Sequence, residues 1–330
     1  MRIGVFCPNW VGDAIMALPF FNACKETNPE SIIIAICKSW VAPIFENHPT
    51  IDGIISFEKK DLTGFRCTDN AGRSLQALDL DKFYLLSDSY RAAYIAKKSE
   101  TAIRIGYPGQ GRSMLLTQVI PKLNTKMHRS LKYIKLLGQS SVESLTGEQG
   151  ISLNDKELDW AKNELIELGI LNPIAFFPFS VASSRSLPEL KVLDMLDKTS
   201  ESILIMGGKG DKYKSEILVK ASNKKNIHTV AGHYDLRKSI ALISVCKGAV
   251  GVDSGLGHIS ANLGIPTVSL FGAGDIESTR PIGLKIDFIN KNVHCSPCLK
   301  NICQNRDQPL LCLEKINSNL PWTVLSKLSK

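Results

Sequence analysis

The chain has 330 residues, 44% of them hydrophobic, a mean hydropathy near zero and a net charge of +8, as in many globular proteins. It has no apolar run of about 18 residues, so no transmembrane helix is expected, and its length favours two domains of about 150 residues. Pro8, Asn9 and Asp13 interrupt the apolar start, which argues against a signal peptide. We therefore expect a cytoplasmic protein whose nine cysteines are mostly reduced thiols.

Strand and helix patterns alternate through the first half of the chain. Strands are predicted at 2–7, 31–36, 54–57, 83–86 and 102–105, and helices at 14–24, 41–46, 91–98 and 129–137. This alternation is typical of a parallel α/β sheet. The polar stretch 138–155 is the predicted linker, which gives domains at 1–150 and 151–330.

The second half repeats the same alternation. A helix capped by Asn154 or Asp155 is predicted to end at Gly169. Strands follow at 174–177, 203–206, 227–230, 249–252 and 267–270, with helices at 187–198, 212–222 and 236–246. Ligands of parallel α/β sheets bind at the carboxyl ends of the strands. Two such Rossmann-like domains facing each other would enclose a cleft.

The stretch 249–266 predicts a strand, a tight polar turn and a short helix. The turn consists of Asp253, Ser254 and Gly255, and His258 lies about one turn into the helix. The first N–H groups of a helix are free and lie at the positive end of its dipole, which suits a phosphate or diphosphate. Asp253 adds an acceptor for sugar hydroxyls, so the turn indicates a donor that is both phosphorylated and a sugar.

The first predicted strand leads into the loop 9–13, which lacks the G-x-G-x-x-G pattern of dinucleotide-binding proteins. Its last residue, Asp13, precedes a predicted helix. Two interpretations remain open for this carboxylate. It is either a helix cap that contributes about 1 kcal/mol, or a general base at the mouth of a cleft.

Three motifs together resemble one enzyme family. They are PNWVGDAIMALP at 8–19, VDSGLGHISANLGIPTVSLFG at 252–272 followed by Asp275, and CSPC at 295–298. They are similar to the ADP-heptose:lipopolysaccharide heptosyltransferases of glycosyltransferase family 9, over about residues 1–315, and PNWVGD most resembles the heptosyltransferase II type. The resemblance implies a GT-B fold and inverting transfer of heptose from ADP-L-glycero-D-manno-heptose to the inner core of lipopolysaccharide, with no cofactor or metal.

The resemblance also implies roles for single residues. Asp13 matches the catalytic base, and Arg185 stands where the family usually has a lysine that neutralises the leaving diphosphate; the fork of an arginine suits phosphate oxygens. The implied donor-binding residues are Asp211, Tyr234, Asp253, Ser254, Gly255 and His258. Among them, Asp211 would bind ribose hydroxyls while also capping a helix, and Tyr234 would line the adenine pocket. Beside Arg185, Ser183 and Ser184 are further candidates, as hydroxyl donors to the phosphates.

Residues 101–142 contain seven basic side chains and no Asp or Glu. This pattern fits either a solvated basic face or a surface for an anionic partner. Aromatic residues do not alternate with the basic ones, which argues against nucleic acid. The resemblance points to the anionic inner core as the partner, with peripheral contact to the inner membrane. The predicted acceptor-binding residues are Arg104, Arg112, His128, Arg129 and Lys132.

Two further questions stay open from the sequence. Cys295, Cys298, Cys303 and Cys312 lie within 18 residues but lack the spacing of a zinc ribbon, so structural thiols or a local disulfide, a metal site and a redox sensor all remain. The alternative functions are a family member with another sugar or acceptor (heptosyltransferase I or III type) and a non-catalytic protein that binds sugar nucleotides or nucleic acid.

Overall fold

The computed structural model describes residues 1–122, 125–138 and 150–329. They form two compact units, one made of the described residues up to 152 and the other of residues 153–329. Each unit has a parallel sheet of six strands with helices packed on it, which confirms the predicted α/β class. Most of the predicted linker lies outside the described residues. No helix in the described ranges is long and apolar enough to cross a membrane.

The sheet of the first unit has the strand order β3-β2-β1-β4-β5-β6. Its strands are β1 Arg2–Phe6, β2 Ile32–Lys38, β3 Gly53–Phe57, β4 Lys82–Leu85, β5 Ile103–Gly106 and β6 Gln118–Val119. Its helices are α1 Val11–Met16, α2 Leu18–Thr27, α3 Gly64–Ser74, α4 Tyr90–Lys98 and α5 Arg129–Ile134, with short 3₁₀ segments at Ser39–Ile44, Lys60–Leu62, Gln76–Leu78, Arg112–Leu115 and Lys135–Leu137.

The sheet of the second unit has the order β12-β11-β10-β7-β8-β9. Its strands are β7 Ile174–Phe177, β8 Ile203–Ile205, β9 Ile227–Thr229, β10 Gly248–Val252, β11 Thr267–Phe271 and β12 Ile286–Asn290. Its helices are α6 Asp155–Glu167, α7 Glu189–Asp197, α8 Lys212–Ser222, α9 Leu236–Ser244, α10 Gly255–Asn262, α11 Ile276–Thr279, α12 Leu311–Glu314 and α13 Leu320–Leu328, with 3₁₀ segments at Ser183–Arg185 and Lys209–Asp211.

Both strand orders follow the doubly wound Rossmann pattern, in which the direction of winding reverses beside the first strand. The reversal lies between β1 and β4 in the first unit and between β7 and β10 in the second. The central strands are buried on both faces, as in β7 and β10, where every residue is buried. Such strands read as continuous apolar runs, so the sequence predicts them well. In this fold, ligands bind outside the carboxyl ends of the strands at the reversal points.

The predicted elements differ from the observed ones in a few places. The helix expected at 14–24 is two helices, because the backbone turns at Ala17, just before Pro19 in the first turn of α2. The segment predicted as a helix at 41–46 is a 3₁₀ turn with Pro43 inside it. The capping prediction is confirmed: the side chain of Asn154 accepts from the backbone N–H of Glu157 and forms a capping box at the start of α6.

Candidate active site

The turn between β10 and α10 lies at the reversal point of the second sheet. The strand ends at Val252, Ser254 is the N-cap residue and Gly255 begins the helix, as the sequence predicts. The side chain of Asp253 is 5% exposed, and His258 is also buried. The backbone N–H groups at the start of α10 therefore lie at the carboxyl edge of the sheet, directly beside a buried carboxylate.

The loop after β7 brings Arg185 to this turn. Arg185 Nη1 lies 3.2 Å from Asp253 Oδ2, and the guanidinium is partly exposed. Its Nε is buried without a hydrogen-bond partner in the described parts of the chain, as is the hydroxyl of Ser254. Two predicted donor-site residues from the two strands flanking the reversal point thus meet. Arg185 keeps donor capacity for a ligand oxygen.

Gly274, which the sequence analysis did not single out, sets the space around Asp253. A Cβ at this position would lie 2.1 Å from Asp253 Oδ2, so no other residue fits without moving the carboxylate. The loop after β11 therefore forms another wall of the site. The sequence signal for this close approach is the pair of glycines at 272 and 274 in the segment FGAGD.

Ser183 and Ser184, the candidate hydroxyl donors to the phosphates, donate to main-chain carbonyls instead. Ser183 Oγ donates to the carbonyl of Asn301 at 3.3 Å, and the buried Ser184 Oγ donates to the carbonyl of Lys300. The backbone N–H of Ser184 also donates to the Asn301 carbonyl at 3.1 Å. Both hydroxyls are used to hold the 3₁₀ turn that carries Arg185, so we assign them a positioning role.

Asp211 and Tyr234 lie in the loops after β8 and β9. Asp211 Oδ2 accepts from the backbone N–H of Gly208 at 2.9 Å and so closes the 3₁₀ turn before α8. Asp211 holds the N-cap position of α8, but its side chain makes no capping hydrogen bond to that helix, whose residues the structure describes throughout, so the predicted side-chain cap is wrong. The Tyr234 hydroxyl donates to Glu164, and its ring meets that of Trp160 edge-on at 5.4 Å between centroids. Burial raises the pKa of Tyr234 to about 12, with a further contribution from Glu164. Their roles toward ribose and adenine stay predictions.

Asp13 lies in the first turn of α1, after the loop that follows β1. It is not the helix cap, because Trp10 holds the N-cap position. Arg129 Nη1 donates to Asp13 Oδ1 at 2.6 Å, and the carboxylate is 17% exposed. Burial raises the pKa of neighbouring Tyr133 well above its ordinary value, and the charge of Asp13 adds to this shift. The carboxylate is therefore ion-paired, oriented and largely shielded from water.

Arg112 does not belong to a basic surface, although the sequence placed it among the acceptor-binding residues. Arg112 is fully buried, donates to the carbonyls of Tyr107 and Ser87, and lies 3.2 Å from a carboxylate oxygen of Asp88. Burial lowers its pKa, with Asp88 acting in the opposite direction. Because its donors are used inside the fold, Arg112 is a structural arginine.

Arg104 and His128 are also engaged within the first unit. Arg104 donates to the carbonyls of Leu115 at 2.8 Å and Thr101 at 2.6 Å. His128 is buried, and its Nδ1 accepts from the backbone N–H of Ser130, which caps α5. The other two predicted acceptor-binding residues, Arg129 and Lys132, contact carboxylates. The side chain of Arg129 donates to Asp13, and that of Lys132 donates to Asp88.

The burial of Arg112 leads to a stability prediction. Arg112→Met leaves the carbonyls of Tyr107 and Ser87 without their donor, so the free energy of unfolding should fall by about 3 kcal/mol. Urea denaturation of the full chain measures this change. The control is Lys122→Met, an exposed basic residue of the same stretch, which should change stability by less than about 0.5 kcal/mol. Unchanged stability in Arg112→Met would contradict the structural role.

The four clustered cysteines are free thiols that line one cavity of about 510 Å³ in the second unit. The backbone N–H of Leu310 donates to Cys303 Sγ at 3.3 Å. Burial raises the pKa of Cys312, with smaller contributions from Cys295 and Cys303. The described residues contain no group of three or more His, Cys, Asp or Glu side chains placed to hold a metal ion. Lys300 and Asn301 lie in the sequence between Cys298 and Cys303, and their carbonyls hold the 3₁₀ turn that carries Arg185. The segment with the thiols therefore supports the Arg185 turn.

Curated relatives of similar length match most of the chain. Lipopolysaccharide heptosyltransferase 2 of Escherichia coli K12 is 24% identical over 314 residues, which cover 86% of each chain. Lipooligosaccharide heptosyltransferase 2 of Campylobacter jejuni is 24% identical over 310 residues, which cover 92% of each chain.

Solved structures show the same fold. The E. coli ADP-heptose lipopolysaccharide heptosyltransferase II matches with a TM-score of 0.82 and 22% identity, over 100% of this chain and 98% of that one. A family 9 glycosyltransferase from Veillonella parvula matches with a TM-score of 0.86 and 19% identity, over 99% and 97%. The expected GT-B fold class is therefore confirmed. The model of glycosyltransferase family 9 (heptosyltransferase) matches residues 69–308, so this chain belongs to glycosyltransferase family 9.

Proposed function

We propose that this protein transfers a heptose from ADP-L-glycero-D-manno-heptose to the inner core of lipopolysaccharide, where it adds the second heptose. The observation that carries the proposal is the Arg185–Asp253 pair beside the N-terminus of α10. In this pair Arg185 is the cation that would bind a diphosphate, and Asp253 is the buried carboxylate that would accept hydrogen bonds from sugar hydroxyls. The similarity to enzymes named heptosyltransferase 2, over most of the length of both chains, supports the proposed acceptor.

The second unit would hold the donor and stabilise the leaving group. As the bond between the anomeric carbon and the diphosphate oxygen breaks, ADP departs with the bonding electron pair. Arg185 and the N–H groups at the start of α10 would meet the growing negative charge. Asp253 would bind hydroxyls of the heptose, and Gly274 leaves it the room to do so.

The first unit would activate the acceptor through Asp13. Its carboxylate takes the proton of the acceptor hydroxyl as that oxygen attacks the anomeric carbon. A single direct displacement of this kind inverts the configuration there. The ion pair with Arg129 fixes the orientation of the carboxylate. A fixed orientation is needed because a catalytic group speeds a reaction only when it is held in the right geometry beside the reacting atoms. We propose that the reaction needs no metal, because Arg185 and the helix terminus supply positive charge for the diphosphate.

A transfer assay tests the proposal directly. The purified chain is incubated with ADP-heptose and defined inner-core acceptors that carry no heptose, one heptose or two. We expect transfer to the acceptor with one heptose, unchanged by EDTA. ADP should also raise the melting temperature, whereas UDP and RNA should not. Transfer only to the other acceptors would assign a type I or III activity, and no transfer to any of them would refute heptose transfer.

The same proposal bears on location. A lipid-linked acceptor would require the enzyme to work at a membrane surface, so we propose peripheral contact with the cytoplasmic face of the inner membrane. Flotation with vesicles that contain the acceptor tests this contact. Recovery of the protein only in the unbound fraction would contradict it.

A further inference from the structure

A second cavity lies in the first unit, at the carboxyl edge of its sheet. Its volume is about 440 Å³. Asn9 from the loop after β1, Lys38 at the end of β2, and Ser89 with Arg91 at the start of α4 line it. It thus lies beside the reversal point between β1 and β4, where this fold binds ligands. The loop that contributes Asn9 continues into α1, which carries Asp13.

The charge of this cavity is one-sided. Lys38 and Arg91 line it, and no Asp or Glu is among the described residues of its wall. Burial lowers the pKa of Lys38, and the positive charges of Arg91 and Lys59 lower it further. Like charges held together in this way repel each other, so an anion in the cavity would relieve the repulsion.

The polar surroundings also favour an anion. Ser89 caps α4 by accepting from the backbone N–H of Ala92, so the positive end of the helix dipole lies at the cavity wall. Lys38 Nζ lies 4.7 Å from the ring of Trp40, whose indole N–H donates to the carbonyl of Asn9 at 2.8 Å. An aromatic face thus holds Lys38 in place without neutralising its charge.

We propose that this cavity binds an anionic group of the acceptor, a phosphate or a sugar carboxylate, through Lys38 and Arg91. The identity of the acceptor rests on the proposed function, whereas the anion site rests on the cavity and its charges. Arg104, Arg112 and His128 then stabilise the fold. The anion contacts predicted for them are assigned instead to Lys38 at the end of β2 and Arg91 in α4. A bound anion there would orient the acceptor beside the loop that leads to Asp13.

The first test measures anion binding without any transfer. Inorganic phosphate and, separately, acetate are titrated into the full chain saturated with ADP, so that the donor site is occupied. We expect phosphate binding to weaken about tenfold or more in Lys38→Gln/Arg91→Gln. Lys97→Gln, an exposed lysine at the far end of α4, should bind like the unchanged protein. Acetate binding that falls in parallel identifies a carboxylate site, and binding of phosphate alone identifies a phosphate site.

The second test uses the transfer assay. In the double variant, the acceptor KM should rise about tenfold while the donor KM stays unchanged. Circular dichroism and the melting temperature show whether the variant is folded. A folded double variant with unchanged phosphate affinity and unchanged acceptor KM overturns the anion site and leaves heptose transfer standing. If the unchanged protein fails to transfer heptose, the proposed function falls, and phosphate affinity alone decides the anion site.

Discussion

Replacing Asp13 with asparagine is expected to lower the turnover number of heptose transfer by about 10²- to 10⁴-fold, the usual contribution of a general base. Asparagine keeps the volume of the side chain and one oxygen that accepts from Arg129, whose Nη1 lies 2.6 Å from Asp13 Oδ1. The first turn of α1 should therefore keep its shape. What is lost is the group that takes the proton from the attacking hydroxyl.

The measurement is the steady-state rate of transfer, together with the dissociation constant of ADP. Because Asp13 belongs to the first unit and the donor turn to the second, ADP affinity should change by no more than a few-fold. Glu26→Gln, an exposed acid on α2, serves as the matched control and should keep full turnover. Turnover within tenfold of the unchanged enzyme in Asp13→Asn would rule out the base.

Much of the fold could be predicted from the sequence because its central strands are apolar on both faces. β7 and β10 are buried throughout and read as unbroken apolar runs. The edge strand β6 was missed because its two residues are exposed and give no such signal. Composition alone also placed basic residues on the surface, yet Arg112 is buried, since main-chain carbonyls satisfy its donors.

The candidate site was predictable where its residues are neighbours in the sequence. The turn at Asp253–Ser254–Gly255 follows directly from the change of pattern from strand to helix. Contacts between distant residues were not predictable: Arg129 lies 116 positions from Asp13, and Lys300 lies 116 positions from Ser184. These pairings depend on strand order, which no local spacing encodes.

The second large effect is expected at Arg185. Arg185→Met should lower kcat of transfer by about 10²- to 10³-fold, comparable to the loss of one preorganised donor to a developing negative charge. Methionine keeps an unbranched apolar side chain but brings no charge to the diphosphate. The variant should also be less stable by about 1–3 kcal/mol, because the buried carboxylate of Asp253 loses a cation at 3.2 Å.

The two effects at Arg185 can be separated with Arg185→Lys. Lysine restores the positive charge and most of the stability, but not the planar fork that bonds two phosphate oxygens together, so kcat should remain about tenfold low. Arg306→Met, an exposed arginine of the same unit, controls for the loss of one positive charge and should keep full turnover. Stability is read from urea denaturation and turnover from the transfer assay. A folded but less stable Arg185→Met with unchanged kcat would show that Arg185 serves only as the ion-pair partner of Asp253. The N-terminus of α10 alone would then stabilise the charge of the departing ADP.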